Sequence, residues 1–494
     1  MGQDINYYAI LDVCFDATEE EIRAAYHLAA RRYHPDTNPN LGTPDLFYRV
    51  QKAYDTLSSR NRREEYDSTF QDDDLNSPGF TKRTFISKSS ITHSKDKQLV
   101  YVLFDIGAKP SSKKSIQRPL NLALVLDRSK SMIGERMEMV KDNSIRLLRQ
   151  LGENDIISIV TFSDRAEILV PPSQISDIHL IESKISRIQP DGSTEIFQGL
   201  SAGIAQIRQN RIPGYINHLI LFTDGRTYGD EDQCLELGRE AAEEGVGISG
   251  LGIGNDWNDE FIDALAGCAG GVSMYVSGPK DLKRFLEQKY RNLEQVYGEQ
   301  VSLNFVNSPE IELQYAFRIY PEPAPLINNI PVRAGSLNIS NKLVIMLEFC
   351  VNPTKVDQKE ITLLEGYVTL HIPTRKVPRT RLPLSIKCNL TSDVQDNQGM
   401  PKPIVHALSQ LTLYRMQEKA QEELKKGDTV KASRHLQYLA THLLAKGERE
   451  LANTVLKEAD HIQNQKKYSQ EGDKRIKYGT RSLLLPPGPE NKLP

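Results

Sequence analysis

The chain has 494 residues, 39% of them hydrophobic and 26% charged, which is the composition of a globular protein long enough for about three domains. Its formal net charge of −3 excludes a chain-wide basic field, so the composition favours neither nucleic acid nor an anionic membrane as a partner. No segment of the sequence approaches the ~18 apolar residues of a membrane span. We therefore expect partners that are proteins.

The five cysteines are far apart in the sequence and form no C-x-x-C pair, which argues against both a disulfide framework and a zinc site. They are predicted to be buried thiols in a reducing compartment. The N-terminal stretch MGQDINYYAI has neither a basic start nor a long apolar core, so we expect no targeting segment. Together these features predict a cytoplasmic location.

Two amphipathic helices are predicted near the start of the chain, joined by a short polar loop. Thr18 is followed three residues later by Glu21, which is the capping-box signature of a helix start. Pro35 disfavours helical backbone at the residue before it, so this helix is expected to end at His34. A second helix follows in TPDLFYRVQKAYDTL, where apolar residues recur at helical spacing. The pair is predicted to form an antiparallel hairpin whose loop displays His34, Pro35 and Asp36.

The sequence around this loop contains the segments YYAILDV, YHLAARRYHPDTNP and VQKAYDTLSSRNRREEYD. Together they resemble the J domain of DnaJ-type co-chaperones over residues 5–70. The resemblance implies that His34, Pro35 and Asp36 bind a DnaK-type heat-shock chaperone and stimulate its ATP hydrolysis. Three arginines are implied to meet an acidic patch of that chaperone and to steer the encounter: Arg23, Arg31 and Arg32. We assign the J domain to residues 1–70.

Residues 71–82 are predicted to be a linker, because they are polar and acidic and contain a Pro-Gly pair. Full-length DnaJ proteins follow the J domain with a linker rich in glycine and phenylalanine and with a cysteine zinc module, and neither appears in this sequence. Client recognition is therefore expected to come from another part of the chain.

Three apolar runs later in the chain each end in polar or small residues, which is the pattern of central strands in a parallel sheet. They are PLNLALVLDRSKSM, HLILFTDG and GISGLGIG, and helical stretches such as MEMVKDNSIRLLRQL separate them. This alternation predicts a doubly wound sheet, in which ligands bind at the carboxyl ends of the strands. Oxygen-bearing residues follow the strands or lie in the loop between them: Asp127, Ser129, Ser131, Thr194 and Asp224.

Two carboxylates and three hydroxyls, with no histidine or cysteine, form the hard oxygen donor set that a magnesium-like ion prefers. This set resembles the metal-ion-dependent adhesion site of von Willebrand factor type A domains. The resemblance implies that these residues hold one Mg²⁺, Mn²⁺ or Ca²⁺ ion, directly or through water, and that an acidic residue of a protein client completes its coordination. Two departures bear on occupancy, since Lys130 and Asp191 stand where the family commonly has glycine. In a purely structural alternative, the side chains only cap strand ends with hydrogen bonds.

The von Willebrand type A domain is assigned to residues 118–292, and strand-like segments flank it on both sides. Residues 83–117 and 293–392 are predicted to form one β-sandwich into which the α/β domain is inserted. Residues 403–468 have the pattern of a helical hairpin region that either covers the sandwich or binds a helix of a partner. Residues 469–494 are predicted to be a mostly flexible tail, with a short docked piece at TRSLLL.

The predicted fold is multidomain α/β, with an all-α J domain, a Rossmann-like type A domain inserted in a β-sandwich, and a C-terminal helical region. One interpretation is a co-chaperone adaptor that stimulates a DnaK-type chaperone and captures a client through its metal site. The alternative is a scaffold in a signalling or assembly complex, with an AAA-type ATPase as one candidate partner and a vestigial J domain. The intact His34, Pro35 and Asp36 favour the adaptor. No enzymatic activity is expected, because Ser129 stands where an aspartyl phosphatase uses its second acid.

Overall fold

The computed structural model describes residues 6–34, 44–70, 78–94, 96–110, 118–175, 177–226, 229–353, 359–391 and 399–484. Across these ranges, no helix combines the length and the apolar character that crossing a membrane requires.

The N-terminal helices pack around Tyr8 and Ile22, whose side chains are both inaccessible to solvent. They are α1 (Tyr7–Leu11), α2 (Glu19–Tyr33), α3 (Pro44–Leu57) and α4 (Arg60–Asp67). The capping box predicted for α2 is confirmed, because Thr18 and Glu21 exchange hydrogen bonds of 2.8 and 3.2 Å between side chain and backbone. Helices α2 and α3 form the predicted hairpin, with the ring of Tyr26 stacked on that of Tyr54 at 4.2 Å between centroids.

The first strands after the J domain are β1 (Phe80–Ile86), β2 (Ser90–Thr92) and β3 (Gln98–Ala108). Strand β1 begins inside the stretch predicted to be a linker, so the end of that linker at residue 82 was placed too late. The cause is Phe80, which pairs with Ala108 and is only 2% exposed, because its side chain belongs to the core of the sandwich.

The inserted α/β domain follows, and its strands alternate with helices as predicted. Its elements are β4 (Leu120–Asp127), α5 (Glu135–Leu148), β5 (Ile156–Phe162), β6 (Ala166–Gln174), α6 (Ile178–Ser186), α7 (Ile196–Gln209), β7 (Ile216–Thr223), α8 (Glu231–Glu243), β8 (Val246–Ile253), α9 (Asp259–Cys268), β9 (Ser273–Val276) and α10 (Pro279–Glu294). The sheet has the order β6-β5-β4-β7-β8-β9, and its strands run parallel except β6. Strands β4 and β7 are buried along their whole length, which explains their uninterrupted apolar sequences.

The chain then returns to the β-sandwich. The returning strands are β10 (Val296–Val306), β11 (Ile311–Tyr320), β12 (Ala324–Pro325), β13 (Val332–Asn338), β14 (Leu343–Val351), β15 (Glu360–His371) and β16 (Arg379–Thr391). One sheet has the order β1-β3-β14-β11-β12 and the other the order β13-β10-β15-β16-β2, so each combines strands from before and after the inserted domain. Apolar side chains of both sheets form one continuous core. The predicted insertion of the α/β domain into a β-sandwich is thereby confirmed.

Helices form the last part of the chain that the structure describes: α11 (Lys402–Lys425), α12 (Thr429–Ala445), α13 (Arg449–Gln465) and α14 (Gln470–Ser482). The sequence left two roles open for this region, and the structure shows one of them: α11 covers the β-sandwich. Ile404, Leu411 and Tyr414 of α11 pack on Phe317 and Met346 of the outer sheet face. Leu413 and Ala420 of α11 form a separate apolar core with the remaining helices.

The expectation of a mostly flexible tail from residue 469 is wrong for the described part of that tail. Helix α14 is docked on the α/β domain, where Arg481 and Lys477 bind the carboxylate of Asp263 at 3.0 and 2.7 Å. Although burial alone would raise it, the two cations hold the pKa of Asp263 well below its usual range. Lys474 of the same helix donates to the carbonyl oxygens of Asn255 and Trp257. The cations of α14 find their partners in a segment about 200 residues earlier in the chain. The local sequence therefore resembles that of a solvated tail.

This ion-pair network predicts a large stability effect for a residue in a segment expected to be mobile. Arg481→Gln leaves the buried Asp263 with Lys477 as its remaining cation, so we expect the free energy of unfolding to fall by about 3 kcal/mol, the lower end for a broken buried ion pair. The matched control is Arg475→Gln on the same helix, whose ion pair with Glu471 is exposed and should contribute less than about 1 kcal/mol. Urea unfolding of both variants provides the measurement, and equal midpoints would contradict this role of Arg481.

Candidate functional site

The predicted chaperone-binding loop begins where α2 ends. His34 is the C-cap of α2 with extended backbone at φ −69° and ψ 126°, as the following proline requires, and its ring meets that of Phe47 edge-on at 5.1 Å. Pro35 and Asp36 lie outside the described residues. Arg23 and Arg31 are exposed on α2, and Arg32 is half-buried beside Glu244 of the α/β domain.

The predicted metal ligands converge at the carboxyl edge of the parallel sheet. Strands β4 and β7 are neighbours, with Leu126 opposite Phe222 in the register. Asp127 is the last residue of β4, and Asp224 follows directly after β7. Because parallel strands end at the same edge of the sheet, the two carboxylates emerge side by side, as the sequence pattern indicated.

A chain of hydrogen bonds connects four of the predicted residues. The Oγ atoms of Ser129 and Ser131 are 3.0 Å apart, and Ser131 Oγ donates to Asp224 Oδ1 at 2.6 Å. Asp127 Oδ1 accepts from the backbone N–H of Ser129 at 2.8 Å, and its Oδ2 accepts from the hydroxyl of Thr223 at 2.8 Å. The oxygen atoms are therefore already gathered in one place.

Both carboxylates of the site are completely buried. Burial raises the pKa of Asp127 to about 6, although hydrogen bonds from Ser129 and Thr223 act in the opposite direction, and the charge of Asp224 adds to the rise. Keeping Asp127 ionised is thus costly in the protein alone. A divalent cation next to these oxygens would remove that cost.

Thr194 reaches the same edge from the loop before α7. The backbone N–H of Lys130 donates to the carbonyl of Gly192 at 3.2 Å, which ties this loop to the one after β4. Gly225 passes so close to Thr194 that an added Cβ would lie 2.8 Å from the threonine Oγ1. Since Gly225 directly follows Asp224, the fifth predicted residue lies beside the other four.

The sequence pointed to Lys130 as the cation near the site, but the cation that contacts the site is Arg136. Lys130 and Asp191 face each other at the surface, with Nζ 3.9 Å from Oδ1 and side chains 72% and 75% exposed. Arg136, in the first turn of α5, places its Nη1 2.6 Å from Asp224 Oδ2 and 3.4 Å from the carbonyl oxygen of Ser131. The guanidinium therefore already neutralises one of the two carboxylates.

Arg136 was missed at the sequence level, although a signal was present. A basic side chain in the first turn of a helix faces the positive end of the helix dipole, which disfavours it unless an acid lies nearby. The basic residue that follows Glu135 at the start of α5 therefore indicated a carboxylate partner outside the helix. What the sequence did not show is that this partner is Asp224.

The donor set fits a hard divalent ion. Within the described ranges, no cluster of three or more histidine, cysteine, aspartate and glutamate side chains is placed to hold a metal. The oxygen atoms gathered at this edge belong to two carboxylates and to hydroxyl groups, which is a donor set suited to a hard divalent ion. The buried carboxylates and the hydrogen-bonded hydroxyls are compatible with that role, and Arg136 would compete for Asp224.

This competition gives a testable prediction. Arg136→Gln removes a positive charge beside Asp224, so metal affinity should rise by up to about tenfold, the equivalent of roughly 1.4 kcal/mol of lost repulsion. Arg146→Gln is the matched control, because this exposed arginine lies near the opposite end of the same helix. Calorimetric titration with Mn²⁺ measures both variants, and an affinity that stays equal or falls in Arg136→Gln would show that the guanidinium does not oppose the ion.

Three family models match parts of this architecture. The family model for the DnaJ domain matches residues 6–67, and that for the von Willebrand factor type A domain matches residues 121–288. A third, the Sll0103-like C-terminal alpha-helical domain, matches residues 402–486. The chain therefore combines a DnaJ domain with a von Willebrand factor type A domain, as the sequence motifs predicted.

Relatives resemble the chain over different parts. An uncharacterized protein, sll0103 of Synechocystis sp., is 29% identical over 380 residues, which are 75% of this chain and 89% of that protein. The uncharacterized protein YfbK of Escherichia coli is 26% identical over 53% of this chain and 46% of its own length. The DnaJ homolog subfamily B member 9 of Rattus norvegicus is 47% identical over 62 residues, 13% of this chain and 28% of that protein. The chain thus spans less than half of the last two.

Two solved structures share the fold at low sequence identity. A von Willebrand factor type A protein from Catenulispora acidiphila covers 83% of this chain and 98% of its own with a TM-score of 0.63 and 16% identity. The ArnB paralog VWA2 from Sulfolobus acidocaldarius covers 82% of this chain and 98% of its own, with a TM-score of 0.51 and 16% identity. Both similarities concern the fold alone.

Proposed function

We propose that this chain is a J-domain co-chaperone adaptor that recruits a DnaK-type heat-shock chaperone to a protein client. The J domain stimulates ATP hydrolysis by the chaperone, and the von Willebrand type A domain captures the client at the carboxyl edge of its sheet. The chain performs no chemistry of its own and acts in the cytoplasm, where ATP and such chaperones are available.

The observation that supports this proposal is that one chain combines a His-Pro-Asp motif at the end of a J-domain helix with a set of oxygen atoms gathered at a sheet edge. His34 stands at the end of α2, directly before Pro35 and Asp36, so the motif that engages the chaperone is intact in the sequence. In the inserted domain, the oxygens of Asp127 and Asp224 lie together with hydroxyl groups at a sheet edge. One device addresses an ATPase and the other addresses a second protein, which is the arrangement of an adaptor.

The metal site is proposed to consist of Asp127, Ser129, Ser131, Thr194 and Asp224, with one Mg²⁺ ion and with Mn²⁺ or Ca²⁺ as alternatives. A bound ion would supply an open coordination position that attracts a carboxylate of the client. Strands β4 and β7 fix the positions of the Asp127 and Asp224 carboxylates. The backbone hydrogen bond between Lys130 and Gly192 holds the loop that carries Thr194 in place.

Client capture is tested by pull-down with the full-length chain as bait. The bait is exposed to lysate of the cells that express it, with Mg²⁺ or with a chelator, and captured proteins are identified by mass spectrometry. We expect a defined set of proteins to be retained with Mg²⁺ and lost with the chelator, and to be lost likewise from Asp224→Asn. A set that is indifferent to both changes would exclude the metal site as the capture device.

A further inference from the structure

The J domain is bound to the rest of the chain by ion pairs with the β-sandwich. Arg379 of β16 donates to both carboxylate oxygens of Asp12, at 2.5 and 3.0 Å. Two residues further along the strand, Arg381 donates to Asp16 Oδ2 at 2.9 Å and to Glu21 Oε1 at 2.8 Å. Bidentate and paired contacts of this kind fix orientation as well as proximity, because a guanidinium presents its donors in a rigid plane.

Apolar contacts accompany these ion pairs. Val377, in the turn between β15 and β16, is 5% exposed and belongs to the same apolar cluster as the core of the J domain. Arg381 also lies over the ring of Tyr367, 4.3 Å from its centroid, which holds the guanidinium toward the J domain. We call Val377, Arg379 and Arg381 the docking clasp.

The docked position turns α2 toward the inserted domain. A cleft of about 1790 Å³ separates them, lined on one side by Ala24, Leu28 and Arg31 of α2 and on the other by the end of α8. This volume is only about twice the upper limit for small-molecule pockets, whereas a domain of about 100 residues has a radius of gyration of about 13 Å, so a folded protein domain cannot enter the cleft. Chaperone binding to this face of α2 therefore requires the cleft to open.

A carboxylate of the inserted domain also pairs with one of the arginines implied to steer the chaperone. The C-terminal end of α8 carries Glu240 and Glu243, followed by Glu244, and the helix dipole adds to their negative potential. Arg32 lies 3.6 Å from Glu244, which also binds Arg208 at 2.9 Å. The other two acids also pair with cations of the chain, since Glu240 lies 3.8 Å from Arg208 and Glu243 lies 3.2 Å from Arg333. Glu244 thus gives Arg32 a carboxylate contact of the type that the chaperone is expected to give.

We infer that the docking clasp holds the J domain in a closed state, in which the inserted domain faces α2 in place of the chaperone, and that release of the clasp exposes the J domain for binding. This inference depends on the proposed function, because it concerns access to the same chaperone. Only released molecules bind the chaperone, so the apparent affinity of the chain for the chaperone equals the intrinsic affinity multiplied by the fraction of released molecules. If closed molecules outnumber released ones about tenfold, release of the clasp lowers the concentration of the chain needed for half-maximal stimulation by about tenfold.

The test uses the full-length double variant Arg379→Gln/Arg381→Gln, which removes the clasp charges without altering the J domain. Lys387→Gln is the matched control, because Lys387 lies on the same strand and pairs instead with Glu360 at 3.3 Å. A second variant, Val377→Ser, weakens the apolar part of the clasp. For each protein, the concentration that half-maximally stimulates ATP hydrolysis by a DnaK-type chaperone is determined.

Docking is measured separately by pulsed electron paramagnetic resonance. Spin labels are placed on cysteines introduced at the exposed positions Glu65 and Gln233, in the J domain and the inserted domain. The native cysteines are all buried, which directs the labels to the new sites. We expect one narrow distance distribution in the wild type and in Lys387→Gln, and a broad one in the clasp variants together with stimulation at about tenfold lower concentration.

The outcomes separate the inference from the proposed function. A broad distribution with unchanged stimulation would overturn the inference alone, since release would then have no effect on access. A narrow distribution in both clasp variants would also overturn it, because the clasp would not be what holds the domain. Absence of stimulation by every protein, with distances that change as expected, would overturn the proposed function and the control of access inferred from it.

Discussion

His34→Gln is expected to abolish stimulation of a DnaK-type chaperone while leaving the fold intact. The half-buried imidazole stands at the end of α2 and meets the ring of Phe47 edge-on, a contact that the planar amide of glutamine can partly replace. The extended backbone at His34 is imposed by Pro35, so glutamine adopts it equally well. We expect stimulated ATP hydrolysis to fall by about thirtyfold or more, the loss associated with a contact of roughly 2 kcal/mol.

Two controls make this result interpretable. His442→Gln repeats the substitution at an exposed histidine of α12, far from the J domain, and should leave stimulation unchanged. Thermal unfolding and circular dichroism of His34→Gln should match the wild type. Full stimulation by His34→Gln would mean that the imidazole is not used, and equal loss in both variants would point to a non-specific effect.

Asp127→Asn is expected to remove metal binding while keeping the sheet. Asparagine preserves the shape of the side chain and still accepts the hydrogen bond from Ser129 N–H, but it takes away the charge that balances the ion. Residues that merely orient a ligand typically change metal affinity by 10–100-fold, so loss of a ligand charge should lower it by at least about a hundredfold. Titration calorimetry with Mg²⁺ and Mn²⁺ gives the measurement.

Asp127→Asn should lower metal affinity without lowering the stability of the metal-free protein. Because burial raises the pKa of Asp127, the ionised carboxylate costs stability in the metal-free protein at neutral pH, and a neutral asparagine avoids that cost. We therefore expect metal-free Asp127→Asn to be no less stable than the wild type. Asp142→Asn, at an exposed position of α5, is the control for both readouts. Unchanged metal affinity in Asp127→Asn would contradict the proposed site.

The parts of the fold that were predictable are those that local chemistry determines. A capping box and a proline fix the two ends of α2, because their hydrogen bonds and steric limits involve residues a few positions apart. The position of Asp127 and Asp224 at one sheet edge followed from strand polarity, since parallel buried strands leave little choice of where polar residues emerge.

The parts that were not predictable depend on partners distant in sequence. Lys477 and Arg481 look like solvated charges until α14 is docked against Asp263. Arg136 looks like a surface residue until the folded sheet places Asp224 beside it. The same holds for the docking clasp, whose arginines lie on a strand that sequence alone leaves without any link to the J domain.

The central claim is tested most directly by the rate of ATP hydrolysis of a DnaK-type chaperone, measured while the purified chain is titrated. We predict a saturable increase with the wild type, at lower concentrations with Arg379→Gln/Arg381→Gln, and none when His34→Gln is added to either. An unchanged rate across the whole titration with both the wild type and the released variant would contradict the account.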